Sequence, residues 1–262
     1  MYLKLRPFIE QNQDKIDWWS LSGNPSPGVI PLLEKNQNKI RSSLSKNSEA
    51  ILLLKQNQDK INWNCLSLNP SPGAIALLEQ NPDKIRWYYL PSNPNPKVIS
   101  LLEQNPDKIH WRFLSSNPSA GAIALLEQNQ DKIDWVCMSS NPNPGAISIL
   151  EQNKDKIDWR HLSRNPNPGA IALLEQNPDG IDWWRLSENP SPGAIRLLEQ
   201  NPDGIDWDWL SGNPAIFIYD YDTMKNHMFE SGMAEQLMQN RFHPRNLGKM
   251  EGWGFDSILS EL

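Results

Sequence analysis

The segment NPSPGAIALLEQNPDKIRWYYLPS, residues 69–92, decides the fold, because it returns almost unchanged along most of the chain. Its tryptophan recurs as Trp63, Trp87, Trp111, Trp135, Trp159, Trp183 and Trp207, a period of 24 residues over seven copies. A fixed period of this size marks a solenoid, in which each unit packs only on its neighbours and the core never closes into a globule. Ser71 can cap a helix, Pro72 supplies the φ of its first turn, and Asn81 before Pro82 stops it, which predicts a helix over residues 72–80. Ala74, Ile75, Leu77 and Leu78 share one face and form its core side, while Ala76 and Gln80 point away. The PDKI that follows turns the chain into a second helical piece of one or two turns, α or 3₁₀, with Trp and a Leu or Met three residues later on its inner side. Asp17, Asp134, Asp158, Asp182 and Asp206 stand before Trp as caps. The expectation is an all-α protein, an α-solenoid of about nine short helix pairs.

Working outward, residues 1–213 carry the repeats and 214–262 do not. The first unit is clipped, with Leu5, Phe8 and Ile9 where Ala74, Leu77 and Leu78 stand later, and it has no evident cap. Residues 40–61 have lost three residues, with Ser42 in the Trp position and Ser48-Glu49 for the Pro-Gly pair, so the superhelix should bend or loosen there. Gly73 is replaced by Lys97 in the next copy, so the position needs ordinary helical angles and its smallness serves packing. Residues 214–262 read as two or three helices broken at Gly232 and Pro244, a helical C-terminal cap over the last repeat.

The 22 prolines fall in phase at the unit edges and act as punctuation. The net charge is −6, and a unit such as 121–144 carries Glu127, Asp131 and Asp134 against Lys132, so nucleic acid is an unfavourable partner. Cys65 and Cys137 share a slot three units apart, too distant to bridge at about 10 Å per stacked unit, which points to a reducing compartment. MYLKLRPFIEQN holds no long apolar run, so no secretory signal and no membrane span is expected, and the chain should be intracellular.

The string NPxPGAIxLLEQNPDKIDWxxLS with the tail FHPRNLGKMEGWGFD resembles tandem-repeat proteins predicted in giant viruses and large algal DNA viruses. The resemblance spans nearly the whole chain and implies a viral origin and a repeat shape, with host cytoplasm or virion as location. It implies no activity.

Candidate chemistry is sparse. The asparagines of the Asn69 and Asn81 types recur as faithfully as the leucines and predict a ladder bonding the backbone of adjacent coils. The Trp column is core packing in preference to a sugar- or base-stacking platform. The acids Glu79 and Asp83 and their copies form rows without an EF-hand loop or a carboxylate pair of distinct environments. His110, His161, His227 and His243 sit in unrelated slots, and no triad, zinc spacing or phosphate loop is present, so no catalytic residue, metal or cofactor is expected. Arg241, Arg245 and Lys249 near His243 are a minor candidate for phosphate binding or a hydrolase site.

What remains is an interaction scaffold with a protein partner, or an assembly component self-associating through its N-terminal end. On a helical wheel the two residues between Trp and Leu lie roughly 130° from the buried pair and face outward. The first column reads Trp19, Asn64, Tyr88, Arg112, Val136, Arg160, Trp184 and Asp208; the second reads Ser20, Cys65, Tyr89, Phe113, Cys137, His161, Arg185 and Trp209. No shared structural demand accepts such a mixture, and Tyr, Trp, Phe and Arg are the anchors of protein interfaces. Trp19, Tyr88, Tyr89, Arg112, Phe113, Arg160, His161, Trp184, Arg185 and Trp209 are therefore the candidate protein-binding residues.

Overall fold

The structure, a computed structural model, describes residues 5–233 and 236. In the copy quoted above, a helix runs Pro72–Gln80, with Ser71 Oγ accepting from Ala74 N at 3.3 Å. This leucine helix recurs at Pro96–Glu103, Ala120–Glu127, Pro144–Gln152, Pro168–Gln176 and Pro192–Gln200. Where Asn takes the capping position, Asn143 and Asn167 accept instead from Gly145 N and Gly169 N. At the far end Asn81 Nδ2 donates back to Leu77 O at 2.8 Å, occupying a carbonyl that the ending helix leaves without a partner.

The turn that follows is itself a 3₁₀ helix, at Pro82–Lys84, Pro106–Lys108 and Gln130–Lys132 among others. The unit thus has three helical pieces where the residue pattern indicated a pair. The third, the Trp helix, is a short α-helix at Trp63–Leu68, Trp111–Ser115, Trp135–Ser139 and Trp183–Ser187. In the unit of Trp87 only a 3₁₀ turn forms, Leu90–Ser92, because Pro91 has no N–H to give an α ladder. Both helix types considered for this piece therefore occur, and a proline selects between them.

Ala74, Ile75, Leu77 and Leu78 are all buried, as are Leu66, Leu90, Leu114, Met138, Leu162 and Leu186 from the Trp helices, so one apolar seam runs through the repeats. Gly73 belongs to it by its size: a Cβ there would stand 2.7 Å from Ile51 Cγ2 of the preceding unit. Gly145 and Gly169 admit Ile123 and Ile147 in the same way.

Two polar ladders parallel this seam. Asn93, Asn117, Asn141, Asn165 and Asn189 are buried, and each donates Nδ2 to the main-chain oxygen of the asparagine 24 residues earlier, at 2.9–3.1 Å. Each also donates to a carbonyl 26 residues back, as Asn141 does to Ser115 O at 2.9 Å. The Oδ1 closes the loop by accepting from the second residue onward, Asn143 N at 3.0 Å in that case. The second ladder is made by serines of the Trp helix: Ser139 Oγ donates to Trp135 O at 2.8 Å and accepts from Asp158 N of the next unit at 3.0 Å.

The shortened segment does not loosen this lattice. Ile40, Leu44, Ala50, Leu53 and Leu54 are buried. One of the lost residues is absorbed by winding Ser42–Lys46 as a 3₁₀ helix, which rises further per residue than an α-helix. Asn47 still donates to Asn24 O at 2.7 Å, and Ser43 Oγ donates to Trp19 O. The clipped first unit is looser. Phe8 on the helix Pro7–Glu10 is 61% exposed, and no residue of that helix is buried.

The chain divides at Asn213/Pro214 into two compact units. In the second, the helix Tyr221–Glu230 starts on Asp220, which accepts from Thr223 N and Thr223 Oγ1 at 2.9 and 2.6 Å. A turn with Gly232 at φ 69° follows it, a left-handed conformation suited to glycine. The expected break at Pro244 lies outside the described residues. Among those residues no helix is long and apolar enough to cross a membrane.

Candidate functional site

Each Trp helix presents a capping residue, the Trp, two variable residues and the inward Leu or Met. The Trp rings from Trp18 to Trp183 are half-buried against the core, not fully enclosed. At Trp18, Trp87, Trp159 and Trp183 the next unit's 3₁₀ turn lies against the ring. Lys39 Nζ lies 4.7 Å from the centre of the Trp18 ring and Lys108 Nζ 4.7 Å from that of Trp87, cation–π contacts. Where this lysine is Gly180 or Gly204, an added Cβ would stand 3.0 and 2.7 Å from Trp159 Cδ2 and Trp183 Cδ2, so backbone takes its place. These four rings are thereby packed from both sides by the lattice. Trp207, the last copy, is 64% exposed.

The first variable column is exposed at Trp19, Asn64, Tyr88, Arg112, Val136, Arg160 and Asp208, and half-buried at Trp184. The second column departs from expectation. Cys65, Tyr89, Phe113, Cys137, His161 and Arg185 are half-buried, and only Ser20 and Trp209 are exposed. A helical wheel describes one helix alone, whereas here the first-column residue of one unit leans over the second-column residue of the next. Tyr88 shows this directly: its ring meets Phe113 edge-on at 4.8 Å, His110 at 4.7 Å and its own neighbour Tyr89 at 5.1 Å. Trp184 meets Trp209 edge-on at 5.2 Å, with the Arg185 guanidinium 5.0 Å from the Trp184 ring centre. Arginines in the first column reach for the next unit's cap instead: Arg112 Nε lies 4.0 Å from Asp134 Oδ2 and Arg160 Nε 3.7 Å from Asp182 Oδ2. The candidate residues therefore form one strip with two aromatic groups, around Tyr88 and around Trp184, rather than two parallel exposed rows.

His161 sits within the strip on its own cap. Asp158 Oδ1 accepts from His161 N and meets His161 Nδ1, both at 2.9 Å. Partial burial pushes the Asp158 carboxyl up, but the bonds from the His161 amide and ring and the nearby Arg160 charge outweigh it and hold it below its ordinary value.

Two members of the strip escape notice in a column-by-column reading. Arg86 and His110 occupy the cap position that Asp fills in other units, and His110 makes no capping bond. His110 also faces Pro91, which stands where the ladder serine would accept from its N–H, and its Nδ1 is buried without a hydrogen-bond partner. The signal was present as a break in the run of aspartates. The candidates Arg241, His243, Arg245 and Lys249 lie outside the described residues.

No protein-family model matches the chain, and neither do curated proteins or solved structures.

Proposed function

We propose that the chain is a non-enzymatic repeat scaffold that binds a protein partner along the Trp-helix strip. The observation that carries this reading is the first column: the lattice leaves it open in almost every unit, and it holds Trp19, Tyr88, Arg112 and Arg160 there, with Tyr88 54% exposed. Large aromatic and arginine side chains supply most of the energy of protein interfaces, and those of adjacent units join here into contiguous patches. Repetition argues against catalysis, since near-identical groups recur unit after unit while a reaction needs unlike groups converging. The overall negative charge disfavours nucleic acid. A viral origin, with action in the host cytoplasm or in the virion, fits the resemblance of the repeat.

The test is affinity capture from the native cell with the wild-type chain and with the double variant Tyr88→Ala, Arg112→Ala. Loss of the captured protein at unchanged melting temperature supports the reading. Equal capture by the double variant removes the strip from the binding face. Phe8, exposed on the first helix, favours self-association as a second reading; light scattering showing a strict monomer at high concentration would dismiss it.

A further inference from the structure

The strip is not uniform in charge. Its cap column opens on Asp17, reads Arg41, Asn62, Arg86 and His110, and returns to aspartate at Asp134, Asp158, Asp182 and Asp206. Neither variable column holds an acid between Arg41 and Phe113, although the protein as a whole carries −6. The aromatic group of Tyr88, Tyr89, His110 and Phe113 lies inside this acid-free stretch. The lattice is also least regular there. Four successive units forgo the carboxylate cap, of which Asn62 still caps its helix through its side chain. Pro91 removes a rung of the serine ladder, and the Trp helix of that unit shrinks to a 3₁₀ turn. These departures weaken local structure, and together they place Arg86 and His110 where aspartate stands in later units, beside the exposed ring of Tyr88.

Resting on the scaffold reading above, we propose that the strip from Arg41 to Phe113 is the docking site for an acidic, extended peptide segment of the partner. Tyr88 and Phe113 seat an apolar side chain of that segment, and Arg86 and Arg112 receive its carboxylates. Arg86 is exposed, and Arg112 Nε stands 4.0 Å from Asp134 Oδ2 with its side chain open to solvent, so both are available. The net charge of −6 favours a sparsely charged peptide over a polyphosphate strand. Stacked units advance about 10 Å, and the adjacent units of Trp87 and Trp111 supply Arg86 and Arg112, which matches two acids about three residues apart in an extended chain.

The test uses the full chain and fluorescein-labelled peptides of roughly twelve residues, long enough to cross three units. The set ranges in net charge from strongly acidic to strongly basic, each with and without one Phe, and is read by fluorescence anisotropy. The proposal expects binding that rises with negative charge, requires the Phe and weakens with salt. Arg86→Glu with Arg112→Glu should weaken it roughly tenfold or more at unchanged melting temperature, while Arg196→Glu, an equal change of charge on a leucine helix away from the strip, leaves it intact. Binding that favours neutral or basic peptides, no retention of any acidic peptide, or tighter binding of oligo-uridine in the same assay would overturn it. Loss of binding in Arg160→Glu and not in the double variant would also overturn it while leaving the strip as the binding face, and so separates this inference from the scaffold reading.

Discussion

Replacing Asn141 by Asp tests the ladder that holds the units together. Asn141 is 1% exposed, and its Nδ2 donates to Ser115 O at 2.9 Å and Asn117 O at 3.1 Å. Asn141→Asp keeps the shape and keeps the acceptor for Asn143 N, but it sets an oxygen against two carbonyls. Two bonds are lost and two buried acceptors lose their donor, so the change should cost about 4 kcal/mol. That is a large part of the 5–15 kcal/mol that typically separates a folded domain from its unfolded chain. Because coupling in a solenoid passes only between neighbours, the loss falls on one interface, and urea unfolding followed by Trp fluorescence should separate into two steps. Amide exchange should accelerate around residues 115–143 and not at 190–200. The introduced carboxyl, buried and facing carbonyls, has a raised pKa in the folded state. Its protonated form can donate to one carbonyl, so the variant's deficit is smallest below the unfolded value of about 3.9 and grows as pH rises through the folded one. A deficit under about 1 kcal/mol, or one independent of pH, would refute the ladder as a source of stability.

Trp135→Ala should cost about 2–4 kcal/mol, below the value for a fully enclosed ring because Trp135 is only half-buried; thermal melts decide this. Asp158→Ala should cost about 1 kcal/mol at neutral pH through its cap. Since the Asp158 carboxyl is depressed in the folded state, its contribution is present above the ordinary carboxylate range and is lost as pH falls through the lower native value, so variant and wild type should converge in acid. Amides of the 3₁₀ segment Ser42–Lys46 should exchange faster than those of Trp63–Leu68, while Leu53 and Leu54, both buried, are as protected as Leu77 and Leu78. Equal exchange in both short helices would show that the tighter winding carries no weakness.

The leucine helix was legible in the sequence because its determinants are local: Ser71, Pro72, the Ala74-to-Leu78 face and Asn81 each act within one turn. The asparagine ladder was legible because Asn69 and Asn93 recur where no apolar requirement could retain them, but the Asn81 type, expected in the same ladder, bonds its own helix at Leu77 O instead. What escaped depends on the neighbouring unit. The serine ladder needs a backbone N–H 19 residues onward, as Ser115 needs Asp134 N, and nothing within one copy shows it. The cover of Trp87 by Lys108, the half-burial of Phe113 beneath Tyr88 and the close approach of Gly73 to Ile51 likewise arise between copies. The shortened unit kept its core for the same reason, since pairing with both neighbours constrains it more than its own length does. The exposure of the first column was therefore legible from its positions, but the half-burial of the second and the grouping into two aromatic centres with Arg86 and His110 required the stacked units.

Hydrogen–deuterium exchange of the chain with its captured partner tests most directly whether the Trp-helix strip is the binding face. The account predicts new protection in residues 86–92 and 110–116, with the leucine helices Pro72–Gln80 and Pro96–Glu103 unchanged. Protection confined to the outer faces of the leucine helices, or to residues 214–233, would contradict it.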